Sequence, residues 1–501
     1  MIDRVIVLGG GSAGFLAAIS LKTRLPQLEV TLIRSPGIGI IGVGEGSVAT
    51  FPLHLHGYLG INPAEFYQAV NPTWKLGIRF EWGARDYFNY TFRSQIDTQY
   101  KALPKGTGFY SYDDFTFGDT ASGLMSEGKV FLRDKNNVPL IGPDTAYHLE
   151  NKRFVAFLET HARNLGVQLV EDTVLDVEQN DAGVTGLRLE SGNTAEADLF
   201  VDCSGFRSEL LHKVMGEPFV SYKSSLFCER AVVGGWDRGK DEPIRAYTTA
   251  ETMDAGWAWR IEHESHITRG YVYAPDFISD DEAEAEFRRK NPKLGPTRIV
   301  KFRSGRYRNE WVKNVVAIGN AGGFVEPLEA TSLGVITTDC QALVETLHDC
   351  DRQLRPSLIK AFNRRSEASW EAIRQFLAIH YKFNTRLDTP FWKACRADTD
   401  IGQAEEIVEY YQENGPSTIW RTTLIQPLDQ FKLDGYLTML VGMKVPFKST
   451  HKISKEEWGT WQQIRQSIKR DVDNAYTCED AMALVKSPAW RWSREFFLQH
   501  L

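Results

Sequence analysis

The residues of this chain whose types and spacing could do chemistry begin with Gly9-Gly10-Gly11-Ser12-Ala13-Gly14. Gly9 permits a tight turn, Gly11 lets the main chain approach a pyrophosphate, and Gly14 lets a helix pack closely on a strand. The helix that follows points N–H donors and its positive dipole end at a phosphate. This is the pattern of a dinucleotide-binding turn. A second strand about twenty residues on ends in Arg34, where such folds usually carry Asp or Glu for a ribose diol. Arg34 there could meet a phosphate or stack on adenine, or it is a solvated charge at the rim. Lys75 is the other residue that stands out, one lysine among bulky apolar neighbours in Trp74–Gly83. Its ammonium offers three donors on a flexible stem, and burial would lower its pKa toward a reactive amine. The plainer alternative is a snorkelling strand lysine.

These residues need elements to hold them. Val5–Leu8 reads as a buried parallel strand, and Phe15, Leu16, Ala17, Ala18 and Leu21 continue as a helix. Val30–Ile33 is the next strand. Residues 36–47 are glycine-dense, so main chain can wrap closely round a ligand there. Asn62 and Pro63 are placed as cap and first-turn proline of a helix over 62–70. Residues 74–83 alternate like a strand, residues 84–145 form a loop-rich aromatic excursion, and Tyr147–Asn164 is an amphipathic helix. Strands follow to Leu189, and 197–206 and 315–324 each run from strand into glycine. Strands also dominate 221–273, residues 282–290 are helical, and beyond Ser332 the chain turns largely helical. Three strand-to-glycine turns, near 9, 202 and 319, point to an FAD domain, not a simple NAD fold. The expected fold is α/β, with a glutathione-reductase-like or aromatic-hydroxylase-like FAD domain and an interleaved mixed-sheet and largely helical substrate domain. The FAD domain takes segments 1–80, 146–220 and 301–345; 81–145 covers the substrate; 221–300 forms a substrate-side β-sheet; and 346–501 is the helical part.

Length and composition set the outer bounds. A chain of 501 residues exceeds one small core, and its 42% hydrophobic and 25% charged fractions are those of a globular protein. A net charge of −7 argues against a dedicated nucleic-acid binder. No apolar run approaches the roughly twenty residues of a membrane span. With no signal peptide indicated, a cytoplasmic protein is expected. Its six cysteines lie scattered without a C-x-x-C pair, which predicts reduced thiols and no metal site.

On these motifs the chain resembles the flavin-dependent halogenases of the tryptophan/indole type, over nearly its whole length. The resemblance rests on the glycine turn, Gly42-Val43-Gly44-Glu45, the Lys75 segment, Asp202-Cys203-Ser204-Gly205-Phe206-Arg207, Trp257-x-Trp259-x-Ile261, and Gly319 to Glu329. The lysine and the paired tryptophans are its distinctive parts. The resemblance implies that reduced FAD, O₂ and chloride or bromide generate hypohalous acid, which travels through an internal tunnel to Lys75 beside an aromatic substrate. Glu329 would help position the electrophile and take the proton of the arenium ion; otherwise it is a structural ion-pair member. FAD would be held by Gly9, Gly11, Ser12, Ala13, Gly14, Arg34, Gly44, Glu45, Val174, Gly319 and Leu333. Backbone N–H groups of Thr331 and Ser332 would hold halide, and Tyr90 and Phe92 would grip the substrate. Trp257 and Trp259 would line the tunnel and keep an organic substrate away from the isoalloxazine. A separate NAD(P)H-dependent flavin reductase would supply reduced FAD, since no second nucleotide fingerprint is evident. The partners expected are the aromatic substrate, halide, O₂ and that reductase, with no nucleic acid or membrane, for a monomer or homodimer.

The chain departs from the family pattern in several places. Ala330 and Ser332 stand where Ser and Gly are commoner, which questions the local backbone. Glu262 replaces a proline and adds a charge near the tunnel wall. The C-terminal clamp that tryptophan-specific members use on the amino-acid backbone is not evident between Ser417 and Pro446, and Tyr410-Tyr411 comes too early. The expected substrate is therefore an electron-rich aromatic, an indole rather than free tryptophan. An aromatic hydroxylase and a catalytically inactive flavin-binding homologue are the alternatives.

Overall fold

The computed structural model of the protein describes residues 1–39, 44–96 and 102–492. Gly42 and Val43 of the second glycine motif lie outside the described residues. At the centre of a six-stranded sheet runs Arg4–Leu8, whose last four residues are all buried. It pairs in parallel with Glu29–Arg34 on one side and Leu199–Asp202 on the other, with Val5 opposite both Val30 and Leu199. Gln168–Glu171 and Val315–Ala317 extend the sheet outward, also in parallel. A strand covered on both faces needs an apolar run, and Val5-Ile6-Val7-Leu8 supplies one. The helix Ser12–Arg24 returns over this sheet and buries Phe15, Leu16, Ile19 and Leu21 against Asn151–Asn164 and Ser332–Asp349.

A seven-stranded sheet forms the second layer. In spatial order it holds Arg298–Lys301, Arg230–Asp237, His266–Tyr273, Gly256–Glu262, Thr248–Met253, Gly77–Glu81 and Phe88–Thr91. Its inner face packs on the helix Pro356–Phe383, which buries Trp370, Ile373, Phe376, Leu377, His380 and Tyr381 at helical spacing. Trp257, Trp259 and Ile261 share that inner face because side chains alternate along a strand. Arg260 and Glu262 therefore point to the other side. There the fully buried Glu262 pairs with Arg238 and Arg260, so the charge expected near the tunnel wall lies on the opposite face from the tryptophans.

Two expected elements divide where the sequence reads as continuous. Residues 74–83 form two strands, Thr73–Lys75 and Gly77–Glu81, in different sheets. Alternation persists through both, but the partners change at Leu76, whose N–H bonds Ala246 O at 2.8 Å. Gly77 makes the crossing possible, since a Cβ there would lie 2.1 Å from Tyr90 O. Likewise the helix expected from Tyr147 begins at Asn151, because Ala146–Leu149 is a fully buried strand. That strand joins Glu45–Gly46 to Thr73–Lys75 in a small three-stranded sheet, with Glu45 opposite Leu149 and Lys75 opposite Ala146. The helix Pro63–Val70 starts as expected, Asn62 accepting from Ala64 N at 2.9 Å. Among the described residues no helix is long and apolar enough to cross a membrane, and all six cysteines are buried and free.

Candidate active site

A cavity of ≈ 1200 Å³ opens at the C-terminal end of the parallel strands, where α/β sheets hold their ligands. Its floor is the glycine turn. Gly9 has φ +131°, and a Cβ there would lie 2.2 Å from Cys203 O. Nothing lies within 4 Å of a Cβ built on Gly11, which leaves open space above the helix start. Gly14 packs beneath the turn, where a Cβ would meet Gly9 O at 1.9 Å. The walls come from distant segments, among them Arg34, Val174, Phe206, Asn320 and Leu333. Gly319 supports the wall from behind, against Ala13. Arg34 is less free than a phosphate ligand would be: it binds Glu159 at 2.7 Å and also Glu171, leaving its stem on the cavity.

The second glycine segment borders the same cavity. Gly44 takes the left-handed φ of +74°, which admits glycine readily. Glu45 borders the cavity, bonded to Asn151, and its Oε2 has no hydrogen-bond partner among the described residues. Burial pushes its carboxyl up to about 7, so near neutrality it is poised between a neutral and a charged acid. An orphaned acceptor and a glycine cradle facing a large cavity are the features a bound dinucleotide cofactor would complete.

Lys75 lies just behind this wall. Its side chain is fully buried, and Nζ donates to Ser47 O at 3.1 Å. Ser47 is itself fixed, since its N–H bonds Tyr147 O and its Oγ accepts from Tyr147 N. Gly46 stands in this wall, where an added Cβ would lie 3.3 Å from Lys75 Nζ. Ala330 Cβ and Thr248 Oγ1 would be 3.5 Å away, and all three residues border the cavity. Thr248 is held from behind by His148 Nε2 at 2.8 Å. Burial drives the Lys75 amine down to about 7, with the Glu329 charge opposing the shift. An amine in that state can donate, or take up, a proton near neutral pH.

On the far side of Lys75 is a cluster of aromatic rings. The Phe92 ring centroid is 5.3 Å from Nζ. Tyr90 lies 5.8 Å from Phe376, which stacks on Phe431 at 3.8 Å, and Tyr436 packs edge-on to Phe376. Burial raises the Tyr90 phenol, and Glu329, Asp434 and Asp429 all push it the same way. Glu329 is buried and bonded to His380, whose Nε2 is 2.7 Å from its Oε1. Burial also raises the Glu329 carboxyl, against the pull of His380 and Lys75.

The remaining expected residues fall beside the cavity and this cluster. Thr331 is the N-cap of the helix Ser332–Asp349 and offers no side-chain cap. Ser332 and Leu333, its first residues, line the cavity, whereas Thr331 is not among the lining residues. Ser332 is helical and needs no glycine; the left-handed residue is Ala330, at φ +54°. Trp259 reaches the cavity wall, while Trp257 sits fully buried behind it, 6.1 Å away. His380, Phe376 and Phe431 carry as much of the geometry as the expected residues do, and sequence reasoning passed over them. The buried stripe of the long helix, with Phe376 and His380 four apart, was the available signal.

This fold, with its dinucleotide-type cavity beside a buried lysine, is that of the flavin-dependent halogenases among solved structures. MibH, a lanthipeptide tryptophan 5-halogenase, superposes with a TM-score of 0.89 at 39% identity, covering 97% of this chain and 94% of that one. The tryptophan 6-halogenase SttH of Streptomyces toxytricini gives 0.86 at 28% identity, covering 96% and 99%. The chain belongs to the tryptophan halogenase family, whose profile matches residues 4–457. Relatives include the tryptophan 6-halogenase ThaL of Streptomyces albogriseolus, 32% identical over 83% of each chain. The tryptophan 7-halogenase RebH of Lentzea aerocolonigenes is 33% identical over 82% of each.

Proposed function

We propose that the protein halogenates an indole that lacks the free amino-acid zwitterion, with FAD bound in the large cavity and Lys75 and Glu329 at the reacting atoms. The observation that carries this reading is the closeness of Gly46, which borders the cavity, to the buried Lys75 amine. When bound and reduced, FAD supplies the electrons with which O₂ turns halide into hypohalous acid, and a separate flavin reductase renews it. Gly9, Gly11, Ser12, Ala13 and Gly14 cradle the pyrophosphate, with Arg34, Gly44, Glu45, Val174, Gly319 and Leu333 round the rest. Backbone N–H groups of Thr331 and Ser332 hold the halide at a helix N-terminus, where the dipole favours an anion. Trp259, backed by Trp257, keeps organic substrate out of the cavity. Lys75 orients hypohalous acid toward the aromatic cluster, and Glu329 handles the proton of substitution.

The substrate reading draws support from the charges near this cluster. Asp434 and Asp429 act on the Tyr90 hydroxyl, a poor setting for a substrate carboxylate, whose burial unpaired costs several kcal/mol. Tyr90 and Phe92 grip a ring by stacking and edge contact, which reads no amino-acid backbone. An indole carried within a peptide likewise presents neither a free ammonium nor a free carboxylate.

The test is a reaction with FAD, a flavin reductase and bromide or chloride, offered indole, an end-blocked tryptophan peptide and tryptophan together. The product ratio reports their relative kcat/KM. Excess halogenated indole or peptide is expected; a clear excess of halotryptophan would overturn the substrate reading. Lys75→Ala should bind FAD normally and form no halogenated product, and normal turnover would remove the lysine from the mechanism. Hydroxylated product formed equally with and without halide would point to the hydroxylase alternative.

A further inference from the structure

We infer that Glu329 and His380 form a single proton-holding pair, in which His380 positions the carboxyl and lets it both give and take back the proton of substitution. His380 sits on the long helix with its ring walled by Phe80, Trp82 and Phe376. Its Nδ1 lies 2.7 Å from Phe376 O. A carbonyl oxygen only accepts, so Nδ1 carries a hydrogen. Its Nε2 lies 2.7 Å from Glu329 Oε1. Two lone pairs do not approach that closely, so one hydrogen stands between these atoms as well. Either the carboxyl O–H donates to a neutral imidazole, or an imidazolium N–H donates to the carboxylate. In both forms the pair is neutral overall and holds one transferable proton.

The charged and titratable groups around the pair leave that count intact. Lys75 faces Glu329 from one strand and Tyr90 from another, with Asp429 and Asp434 beyond Tyr90. Glu326, two residues before Leu328, is turned to Tyr381 instead. Burial disfavours a lone anion at Glu329 and supports the neutral pair.

The inference rests on Glu329 acting at the reacting atoms. In that reaction the aromatic ring attacks the halogen of hypohalous acid, so a carbon–halogen bond forms and the halogen–oxygen bond breaks. The departing hydroxide keeps the electron pair and takes the proton of the pair, leaving as water. The pair is now an anion, with Glu329 a carboxylate and the imidazole neutral. It removes the proton from the arenium carbon, the C–H electrons restore aromaticity, and the pair regains its starting state. Arene and hypohalous acid become haloarene and water without any proton from solvent. His380 touches none of the reacting atoms and is a positioning residue.

The experiment compares His380→Gln, Glu329→Gln and the double variant in the holoenzyme, with a flavin reductase, bromide and indole as probes. His380→Gln should lower kcat about 10- to 10²-fold, leave KM within about twofold and shift the pH profile of kcat. Hypobromous acid trapped in solution without indole should form at the wild-type rate, because halide oxidation lies upstream. The double variant should be no slower than Glu329→Gln alone, since members of one unit are not additive. Wild-type kcat and pH profile in His380→Gln, or losses that multiply in the double variant, would overturn the pair while leaving Glu329 in place. A silent Glu329→Gln would sink the parent reading and the pair with it. Should His380→Gln fail to bind FAD, ¹⁵N NMR of the wild-type histidine decides. A protonated Nδ1 with Nε2 in a shared-proton bond supports the pair, and a bare Nε2 overturns it.

Discussion

Lys75 shows at the scale of one residue what a buried amine costs the fold. Its ordinary value of 10.5 falls to about 7 on burial. Between those values the unfolded chain holds a proton that the folded chain has lost, so the contribution of Lys75 to stability rises with pH. It is fully present above 10.5 and lost as pH falls to about 7. Lys75→Met removes the dependence. The variant should therefore be more stable than wild type at pH 7, by on the order of a few kcal/mol. That advantage should shrink by about 1.4 kcal/mol for each pH unit above 7; parallel curves in urea unfolding would show that the amine is not desolvated. Glu45 and Glu326 work in a separate window. Burial raises both from 4.5 to about 7, so their folded-state protons stabilise at acid pH and that contribution is lost as pH rises through 7. Glu45→Gln should flatten the acid side of the profile and leave the alkaline side alone.

At the scale of elements, the decisive arrangement is the three-stranded sheet that sets Glu45–Gly46 and Thr73–Lys75 on either side of Ala146–Leu149. It turns two segments thirty residues apart into the two faces of one wall, and Gly46 stands in that wall. A bulky side chain at 46 would fill the space between Thr248, Ala330 and the amine. Gly46→Leu should keep FAD binding and reduced-flavin oxidation while lowering halogenated product at least 10-fold, roughly the effect of misplacing a reactive group by an ångström. The lost oxidant should appear as hypohalous acid trapped in solution. Product formed at the wild-type rate would mean that the passage runs elsewhere.

Over the whole molecule, the cavity rests on the parallel sheet and its helices, while the aromatic cluster is held by the second sheet and the long helix. FAD touching segments spread from Leu8 to Ile336 should tie these layers together. A ligand that binds only the folded state, present at a hundred times its Kd, stabilises by about 2.7 kcal/mol. FAD at that level should raise the unfolding midpoint by a few degrees, and Lys75→Ala should show the same rise because it leaves the cavity unchanged. An unchanged midpoint in the presence of FAD would mean that the cavity takes a different occupant.

Local sequence determined more of this protein than its length suggests. The glycine turn at 9–14, the flanking strand and helix, and the cap at Asn62 are legible because each is decided by a few neighbouring residues: φ freedom, apolar runs and side-chain capping. The family motifs likewise pointed to Lys75 and Glu329. The split at Leu76 and the strand at Ala146 were not legible, since periodicity does not say which strand a segment pairs with. Nor did the sequence indicate that Glu262 faces away from the tryptophans once its strand is placed, or that Arg34 is held by Glu159 and Glu171. His380 lies fifty-one residues from Glu329 and meets it only because the long helix crosses beneath the turn Pro327–Glu329. Chemistry that depends on one local segment could be read from residue types, whereas the burial that shifts Lys75 and the histidine bonded to Glu329 are set by long-range packing, which only the tertiary structure decides.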